Sequence, residues 1–414
     1  MQQANRRTRC RACAREELLP VVDLGYSPIA NELPLAESDP KPEPRFPLEV
    51  VFCPRCAMVQ LAHDAPDLFP DDYPYYSSFS DALLEHSAAH VENLITARGL
   101  GADSFVVEVA SNDGYLLRSF IDGGVPSLGI DAAPGPVAAA REAGVESICG
   151  FFGRELAAQV REERGPADVI IANNVLAHVP DLDDFVGGLA LLISDDGVIT
   201  IENPGVRDLI RHREFDTIYH EHYCYLSCLS VRALVETHGL HLQHVDYFPD
   251  MHGGTLRWWV GRADTNTSEA DAFLSGELDL GMDRHQFYAS FGDAIDENRE
   301  GLRTLLRGLR ESGATIAGYG AAAKGATLLN TVGLGTDVVE FVVDRNVHKQ
   351  GRLMPGTRQP IVDPSVILDR QPDYLLLLAW NFREEIMAQQ AEYAARGGRF
   401  IVPVPTPQVV EDAG

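Results

Sequence analysis

The chain of 414 residues has little positive charge and no long hydrophobic run. Lysine and arginine together number 34 against 61 aspartates and glutamates, which gives a formal net charge of −27. The only lysines are Lys41, Lys324 and Lys349. This balance excludes a nucleic-acid backbone and an anionic membrane surface as partners, because both bind basic surfaces. It still allows a local basic pocket for one phosphorylated substrate.

Targeting signals are also missing from the sequence. No run approaches 18 apolar residues, so no membrane span is predicted. The first ten residues, MQQANRRTRC, lack the apolar core of a signal peptide. We therefore expect a cytoplasmic protein, in which the seven cysteines indicate metal ligands or free thiols instead of disulfides.

Four of these cysteines form two C-x-x-C pairs, Cys10 with Cys13 and Cys53 with Cys56. Four thiolates are the soft tetrahedral set that zinc prefers, and a site with four protein ligands is structural because it leaves no open position. Strand-like segments at 21–25 and 47–53 fall within this part of the chain. We predict a zinc-binding domain over residues 1–65. The other three cysteines do not form C-x-x-C pairs and are interpreted as ordinary thiols: Cys149, Cys224 and Cys228.

Strand and helix patterns alternate through residues 101–262, which is typical of a doubly wound parallel α/β sheet. Residues 66–100 form a helical bridge before it, with tyrosines that either pack on the sheet domain or line its cleft. Strands are predicted at 104–110, 126–131, 145–150, 167–174 and 197–202. The last two strands are joined by PDMHGG, which is too short for a parallel crossover and predicts an antiparallel hairpin.

A second, smaller α/β domain is predicted at 313–414, after one long connecting helix within 263–312. Its first strand runs into Gly318-x-Gly320-x-x-Ala323, and Asp344 ends the second strand. This pattern satisfies the dinucleotide fingerprint and, taken literally, predicts NAD. Two alternatives stay open: a helix N-terminus that holds another diphosphate with help from Lys324, and a purely structural turn.

The order of the strands and helices predicted in residues 101–262 resembles the class I methyltransferase fold, which has seven strands with a terminal antiparallel hairpin. In that fold S-adenosylmethionine lies over the carboxyl ends of the first strands. Glu108, Asn112 and Gly114 would form its glycine turn, and Asp131 would take the ribose hydroxyls. Ala110 stands where the first glycine of the pattern usually lies, so a strand–turn–helix without a ligand is the alternative.

Residues 215–227, FDTIYHEHYCYLS, hold the densest group of proton-transferring side chains, and they follow the predicted fifth strand. On a regular strand Tyr219 and Glu221 would face one way and His222 the other, so convergence requires a turn or irregular loop. A polar surface turn is the simpler interpretation. A metal site at His220 and His222 is a further alternative, although no third ligand is suitably spaced.

Several blocks together carry a resemblance to one family. In order they are the paired C-x-x-C, YPYYSS, EVASNDG, ANNVLAHVPD, FDTIYHEHYCYLS, HGGTLR, AGYGAAAKGATLLN, VDRNVHKQGRLMPG and LLLLAWNFREEI. The chain closely resembles bacterial nucleotide-sugar C-methyltransferases, which make the branched deoxysugars of antibiotics. The resemblance implies S-adenosylmethionine, structural zinc and a nucleoside-diphosphate 4-keto-deoxysugar, dTDP-linked, as substrate. A monomer is compatible with this three-part chain.

The resemblance also implies a role for each matching residue. Zinc would be held by Cys10, Cys13, Cys53 and Cys56. S-Adenosylmethionine would be held by Glu108, Asn112, Gly114, Asp131, Phe151, Phe152 and Asn173. The substrate would contact Tyr76, Tyr319, Lys324 and Asn381. The catalytic set would be Tyr75, or a neighbouring tyrosine, with His178, Tyr219, Glu221 and His222.

The expected chemistry follows from the ketone, which makes the neighbouring C3 proton acidic. We expect His222 to be the base, Glu221 to orient it or stabilise its charge, and Tyr219 and His178 to donate to the enolate oxygen. The roles of His222 and His178 could be exchanged. Three alternatives remain: an NAD-dependent oxidoreductase or epimerase, a methyltransferase of a non-sugar ketone, and a zinc-containing binding module with an inactive methyltransferase core.

Overall fold

The computed structural model describes residues 5–36, 42–65, 76–79, 81–251 and 253–410. The N-terminal domain contains short strands, because apolar residues alternate with polar ones as on a sheet with one buried face. These strands are β1 (Asn5–Arg6), β2 (Leu19–Ser27), β3 (Phe46–Phe52), β4 (Val59–Leu61) and β5 (His63–Asp64). β2, β3 and β4 form an antiparallel meander, and β1 pairs with β5. Strands were predicted at 21–25 and 47–53, and both are present.

The central domain is a seven-stranded mixed sheet preceded by helix α1 (Asp81–Arg98). Its chain segment contains strands β6 (Val106–Val109), β7 (Ser127–Asp131), β8 (Ser147–Cys149), β9 (Ala167–Asn173), β10 (Ile193–Pro204), β11 (Cys224–Tyr225), β12 (His241–Phe248) and β13 (Thr255–Gly261). The helices between them are α2 (Leu117–Asp122), α3 (Pro134–Glu142), α4 (Arg154–Arg164), α5 (Leu182–Leu192), α6 (Val206–Arg211) and α7 (Cys228–Glu236).

The strand order in this sheet is β12-β13-β10-β9-β6-β7-β8. β13 runs antiparallel to both β10 and β12, while β8, β7, β6, β9 and β10 are parallel. The predicted hairpin is thus present, and the sheet has the class I methyltransferase topology. The central strands are continuously apolar because helices cover both faces. The carboxyl ends of β6, β7, β9 and β10 meet at one edge, which positions the site.

β11 leaves this sheet and joins the N-terminal domain. It pairs antiparallel with β4, with Cys224 opposite Gln60 and Tyr225 opposite Val59. The four-stranded sheet of the N-terminal domain therefore contains a strand from residues 224–225. The two domains are therefore joined directly through one sheet at residues 224–225.

The connector after β13 is two helices, α8 (Ser268–Asp279) and α9 (Phe291–Glu311). The prediction of one long helix was wrong. Gly281 takes φ of 78°, which ends the first helix, and the side chains of Met282 and Tyr288 are fully buried in the intervening turns. Burial of these two apolar groups favours a bent path over a continuous helix.

The C-terminal domain is a second α/β sheet, as predicted. Its strands are β14 (Ile316–Tyr319), β15 (Val342–Val343), β16 (Ile361–Val362), β17 (Tyr374–Leu377), β18 (Arg399–Val402) and β19 (Gln408–Val410), and its helices are α10 (Ala323–Val332), α11 (Val366–Arg370), α12 (Arg383–Gln389) and α13 (Ala391–Ala395). The order is β16-β15-β14-β17-β18-β19, with β19 antiparallel. β16 and β19 were not predicted. Within the described residues, no helix has both the length and the apolar character needed to span a membrane.

Candidate active site

The loop after β6 takes backbone conformations that are rare outside glycine. Ala110, Asn112 and Gly114 have φ angles of 59°, 51° and 75°. A Cβ atom on Gly114 would lie 2.7 Å from Cγ2 of Val145, so only glycine fits there. Non-glycine residues in the left-handed region store strain and cluster at ligand sites. Ala110 therefore keeps the conformation of the glycine that it replaces, and the loop turns back over the strand end.

Two acids lie beneath this loop. Glu108 is 1% exposed, and burial, followed by the charges of Asp131 and Asp113, raises its pKa well above the usual value. Asp131 accepts hydrogen bonds from the backbone amides of Asn112 at 2.9 Å and Ala133 at 2.8 Å. Burial raises the pKa of Asp131, and the two amides oppose that shift. The Asp131 carboxylate thus holds the loop in place at the tip of β7.

The same edge presents acceptor atoms that need donors. Oε2 of Glu108, Oδ1 of Asp113 and Oδ1 of Asn173 are buried and make no hydrogen bond to the part of the chain that the structure describes. Buried acceptors without donors are costly. The ammonium, ribose hydroxyl and adenine amino groups of S-adenosylmethionine are donors. The residues present therefore fit this methyl donor.

The two predicted phenylalanines differ in their surroundings. Phe151 is 75% exposed at the rim beyond β8. Phe152 packs edge-on against Phe185, with ring centroids 5.5 Å apart. The side-chain oxygen of Asn112 accepts from the backbone amide of Ser77 at 2.9 Å, so the bridge segment reaches the cofactor loop. The contacts of Phe151 and Phe152 with the cofactor remain predictions.

We expect Asp131→Asn to weaken binding of S-adenosylhomocysteine by at least about 10-fold, because a hydrogen bond to a charged group contributes about 1.5–3 kcal/mol. Isothermal titration calorimetry measures this. Asp103→Ala, in an exposed turn before β6, is the control and should bind normally. Equal affinity in all three proteins would contradict the assignment of Asp131.

Residues 215–223 contain three of the predicted catalytic residues and are called the catalytic loop; they form an irregular segment. Phe215–Thr217 is a single 3-10 turn, and the amide of His222 then donates to the carbonyl of Tyr219 at 3.0 Å. The prediction of a turn or loop in place of a strand is confirmed. This turn brings the side chains of Tyr219 and His222 to the same side, which a strand would prevent.

The ring of His222 is held at both nitrogens. Nδ1 lies 2.8 Å from the carbonyl oxygen of Thr217, which can only accept, so Nδ1 carries the proton. Nε2 is then unprotonated and accepts from the hydroxyl of Tyr219 at 2.7 Å. The pKa of His222 lies well below its usual 6.5, because the ring is buried and because His178 and Lys324 lie near it. The imidazole is therefore neutral at neutral pH, with its basic nitrogen directed at Tyr219.

His178 lies beside this pair. Its ring centroid is 4.7 Å from that of His222, and the two rings meet edge to face. Burial lowers the pKa of His178 to about 4, although a hydrogen bond to the backbone of Glu221 opposes the shift. The amide of Tyr223 donates to the carbonyl of Ala177 at 2.7 Å and ties the two loops together. Both imidazoles are consequently neutral, and each has its position fixed by backbone groups.

Glu221 does not orient His222 through the imidazole nitrogens. Its Oε2 instead accepts from the side-chain amide of Asn31 at 2.7 Å, in the N-terminal domain. The carbonyl of Thr217 performs the orienting role that was predicted for the carboxylate. The reason is the turn at residues 219–222, which brings Tyr219 and His222 together while Glu221, like His220, contacts the N-terminal domain.

The N-terminal domain holds the other side of the catalytic loop. Nε2 of His220 lies 3.2 Å from the carbonyl oxygen of Phe46, and Tyr223 accepts at its carbonyl from the amide of Leu61 at 2.9 Å. The guanidinium of Arg11 stacks 4.7 Å above the ring of Tyr223. His220 and Tyr223 therefore support the loop structurally.

The C-terminal domain contacts the beginning of the same loop. Nε1 of Trp380 donates to Oδ2 of Asp216 at 2.6 Å, and burial raises the pKa of Asp216 to about 6. Nζ of Lys324 lies 5.0 Å from the centroid of the Trp380 ring. All three domains thus contribute to the position of the catalytic loop.

In the glycine-rich turn of the C-terminal domain, the carboxylate of Asp344 accepts hydrogen bonds from nearby backbone amides. Oδ2 of Asp344 accepts from the amide of Ala321 at 2.7 Å, and its Oδ1 accepts from the amide of Asn346 at 2.8 Å. Lys349 also donates to the carbonyl of Ala321 at 3.0 Å. The Asp344 carboxylate therefore braces the turn, with the same pair of backbone contacts that Asp131 makes at the tip of β7.

The remaining predicted substrate residues lie around this domain. The hydroxyl of Tyr319 donates to Gln389 at 3.4 Å, and Asn381 lies in the 3-10 turn after Trp380. The ring of Tyr76 stacks on that of His348, with centroids 5.7 Å apart, so it bridges two domains. Tyr75 lies outside the described residues.

The four cysteines form two matching knuckles. Ala14 donates to the carbonyl of Cys10 and Ala57 to that of Cys53, each at 3.0 Å, and both alanines have positive φ. All four sulfurs lie within 4.8 Å of one another, with Cys10–Cys56 and Cys13–Cys53 separations of 3.5 and 3.6 Å. A Zn–S bond of about 2.3 Å in a tetrahedron requires sulfurs about 3.8 Å apart. The cysteine set fits zinc.

Among the described residues, these cysteines are the one group of at least three candidate ligands that is compact enough to hold a metal ion. His220 faces the N-terminal domain and His222 faces Tyr219, so the alternative of a shared metal at these histidines is not supported.

Similarity to known proteins identifies the family of this chain. C-methyltransferase NovU from Streptomyces niveus is 36% identical over 405 residues, which cover 97% of this chain and 96% of that protein. The chain belongs to the C-methyltransferase family. Family profiles match in three parts: "Putative zinc binding domain" over residues 10–67, "Methyltransferase domain" over 84–245 and "C-methyltransferase C-terminal domain" over 250–405.

These matches confirm the predicted enzyme class, an S-adenosylmethionine-dependent C-methyltransferase, and the predicted zinc. Among solved structures, magnesium protoporphyrin IX methyltransferase (ChlM) from Synechocystis PCC 6803 is 16% identical to this C-methyltransferase. It has a TM-score of 0.34 over 44% of this chain and 82% of its own. A SAM-dependent methyltransferase from Anabaena variabilis is 12% identical, with a TM-score of 0.36 over 43% of this chain and 85% of its own.

Sequence reasoning missed several residues that contact or belong to the candidate site: Asn31, Asp216, Thr217 and Trp380. Asp216 and Thr217 belong to the FDTIYHEHYCYLS block, and Trp380 belongs to LLLLAWNFREEI. These blocks were therefore the available signal. Asn31 carried no signal in the sequence.

Proposed function

We propose that this C-methyltransferase methylates the carbon next to the ketone of a nucleoside-diphosphate 4-keto-deoxysugar. C3 is the position that the sequence resemblance implies. The observation that carries the proposal is the hydrogen-bonded line from Tyr219 through His222 to Thr217. It provides a neutral imidazole whose unprotonated nitrogen, Nε2, accepts from the hydroxyl of Tyr219. Such a group suits removal of a proton from carbon beside a carbonyl.

The chemistry needs a nucleophilic carbon, because the methyl group on the sulfonium of S-adenosylmethionine is already electrophilic. The C–H bond breaks, its proton passes to Nε2 of His222, and the electron pair moves into the carbon–carbon bond and onto the ketone oxygen. Tyr219 lies directly on Nε2, so its hydroxyl can carry the proton while passing its own to the imidazole. S-Adenosylmethionine, which Glu108, Asp113 and Asn173 would hold, would supply an electrophilic methyl group to this carbanion.

The location of this line beside the cofactor edge supports the proposal. His178 follows β9, whose last residue Asn173 lines the predicted cofactor site, and the catalytic loop follows β10. Ligands in open α/β folds bind outside the carboxyl ends of the strands. A ketone between the two loops would therefore have the methyl donor on one side and the base on the other.

The test is incubation with S-adenosylmethionine and a panel of thymidine- and uridine-diphosphate 4-keto-deoxysugars. Mass spectrometry should show the gain of one methyl group in the sugar, and NMR should place it on C3. The same sugars reduced to the alcohol at C4 are the matched controls and should stay unmethylated. Methylation of a non-sugar ketone alone, or of the C4 alcohols, would overturn the proposal.

A further inference from the structure

A buried ammonium group lies next to the catalytic loop. Nζ of Lys324 is buried on the first turn of α10 and makes no hydrogen bond to any residue that the structure describes. Its neighbour is the ring of Trp380 at 5.0 Å. A buried cation without hydrogen-bond acceptors is unfavourable, and an aromatic face offsets only part of that cost. The buried carboxylate of Asp216 offsets part of this charge, while the N–H bonds of Lys324 have no acceptor among the described residues and are available to a ligand oxygen.

The position of Lys324 relative to the base follows from a chain of short contacts. Trp380, which the ammonium faces, is bonded to Asp216 at 2.6 Å. Thr217, the next residue, holds the imidazole of His222 at 2.8 Å. The positive charge of Lys324 also lowers the pKa of both Asp216 and His222, as expected for groups that face one space. The ammonium thus lies close enough to act electrostatically on both the carboxylate of Asp216 and the imidazole of His222.

The donors that the sequence predicted for the enolate oxygen have other acceptors. The hydroxyl of Tyr219 donates to His222 at 2.7 Å, and the ring of His178 bonds to the backbone of Glu221. Transition-state stabilisation is largest when a donor is already in place before charge develops. An ammonium with three N–H bonds and no protein acceptor among the described residues meets this condition better than either group.

We propose that Lys324 donates a hydrogen bond to the ketone oxygen of the substrate and stabilises the enolate, in place of the diphosphate contact that its sequence position suggested. This inference rests on the proposed function. The C–H proton goes to His222, the electron pair shifts so that negative charge develops on the oxygen, and Lys324 keeps its proton throughout. A cation at this oxygen also makes the neighbouring C–H bond more acidic before the proton leaves.

The experiment separates enolisation from methyl transfer. Wild-type enzyme without S-adenosylmethionine should exchange the proton next to the ketone for deuterium in D₂O, which NMR follows directly. Lys324→Met should slow this exchange about 10²–10³-fold, the usual loss for one oxyanion donor. Lys324→Arg keeps the charge and should recover part of the rate. Arg370→Met is the matched control, since Arg370 also stacks on an aromatic ring, that of Phe341 at 4.9 Å, away from the loop.

Two further readouts distinguish the roles. Calorimetric affinity for the free nucleoside diphosphate should be unchanged in Lys324→Met, and the acid limb of kcat/KM should move to higher pH because a charge that lowers the pKa of His222 is gone. Loss of nucleotide affinity with normal exchange at saturating substrate would make Lys324 a diphosphate ligand and overturn the inference. Unchanged exchange would also overturn it. A wild-type enzyme that neither exchanges nor methylates any sugar of the panel would reject the proposed function itself.

Discussion

Replacing His222 with asparagine is expected to lower kcat by about 10²–10⁴-fold, the usual contribution of general base catalysis. Asparagine can still donate its amide N–H to the carbonyl of Thr217, so the loop contact at 2.8 Å in the native protein has a substitute. It has no counterpart of Nε2, which accepts from Tyr219. The variant should therefore keep its melting temperature and its affinity for S-adenosylhomocysteine while losing methyl transfer.

The matched control is His244→Asn. His244 lies on β12 and bonds to the side chains of Thr267 at 2.9 Å and Asp246 at 3.1 Å, both away from the catalytic loop. Its activity should equal that of the wild type. In the wild type, kcat/KM should stay level as pH falls through 6.5, since the pKa of His222 lies well below that value, and should decline only at more acidic pH. Activity retained in His222→Asn would remove the imidazole from the mechanism.

Cys53→Ser is expected to abolish methylation while leaving binding of S-adenosylhomocysteine nearly intact. Structural zinc sites contribute about 10–16 kcal/mol of apparent binding free energy, which exceeds the whole stability of many domains. Without zinc the N-terminal domain should unfold, β4 should lose its pairing with β11, and Glu221 should lose Asn31. The predicted cofactor site lies at β6, β7 and β9 and contains no residue of that domain.

Methylation assays and calorimetric titration with S-adenosylhomocysteine test this expectation, with the metal content of each protein measured in parallel. Cys149→Ser is the control, because Cys149 is exposed, lies at the end of β8 and is far in sequence from either knuckle. It should retain zinc, fold and activity. If zinc-free Cys53→Ser methylates as fast as the wild type, the N-terminal domain does not position the catalytic loop.

Much of the fold could be predicted because its signals are local. Continuous apolar segments mark the parallel strands, the six-residue PDMHGG link dictates the β12–β13 hairpin, and C-x-x-C spacing marks the knuckles. The connecting helix was predicted wrongly because its break depends on the left-handed Gly281 and on burial of Tyr288, and tertiary packing decides both. β16 has two residues and β19 three, too few for a periodic pattern.

The catalytic loop shows where sequence reasoning stops. Tyr219 and His222 are three residues apart, so their contact could be predicted once a turn was assumed. The choice of Thr217 over Glu221 as the partner of Nδ1 depends on the direction of that turn, which no residue pattern encodes. Asp216 meets Trp380 across 164 positions and Glu221 meets Asn31 across 190, so both contacts exist only in the folded chain.

All three domains contact the catalytic loop, and this has a consequence for engineering by domain exchange. A chimera that takes its N-terminal or C-terminal domain from another C-methyltransferase also takes a new partner for Glu221 or Asp216. Crossovers chosen at sequence linkers would preserve each domain's own core but separate the loop from the residues that contact it. A functional transplant would therefore have to move Asn31, Trp380 and residues 215–223 together, as one unit drawn from three separate regions of the gene.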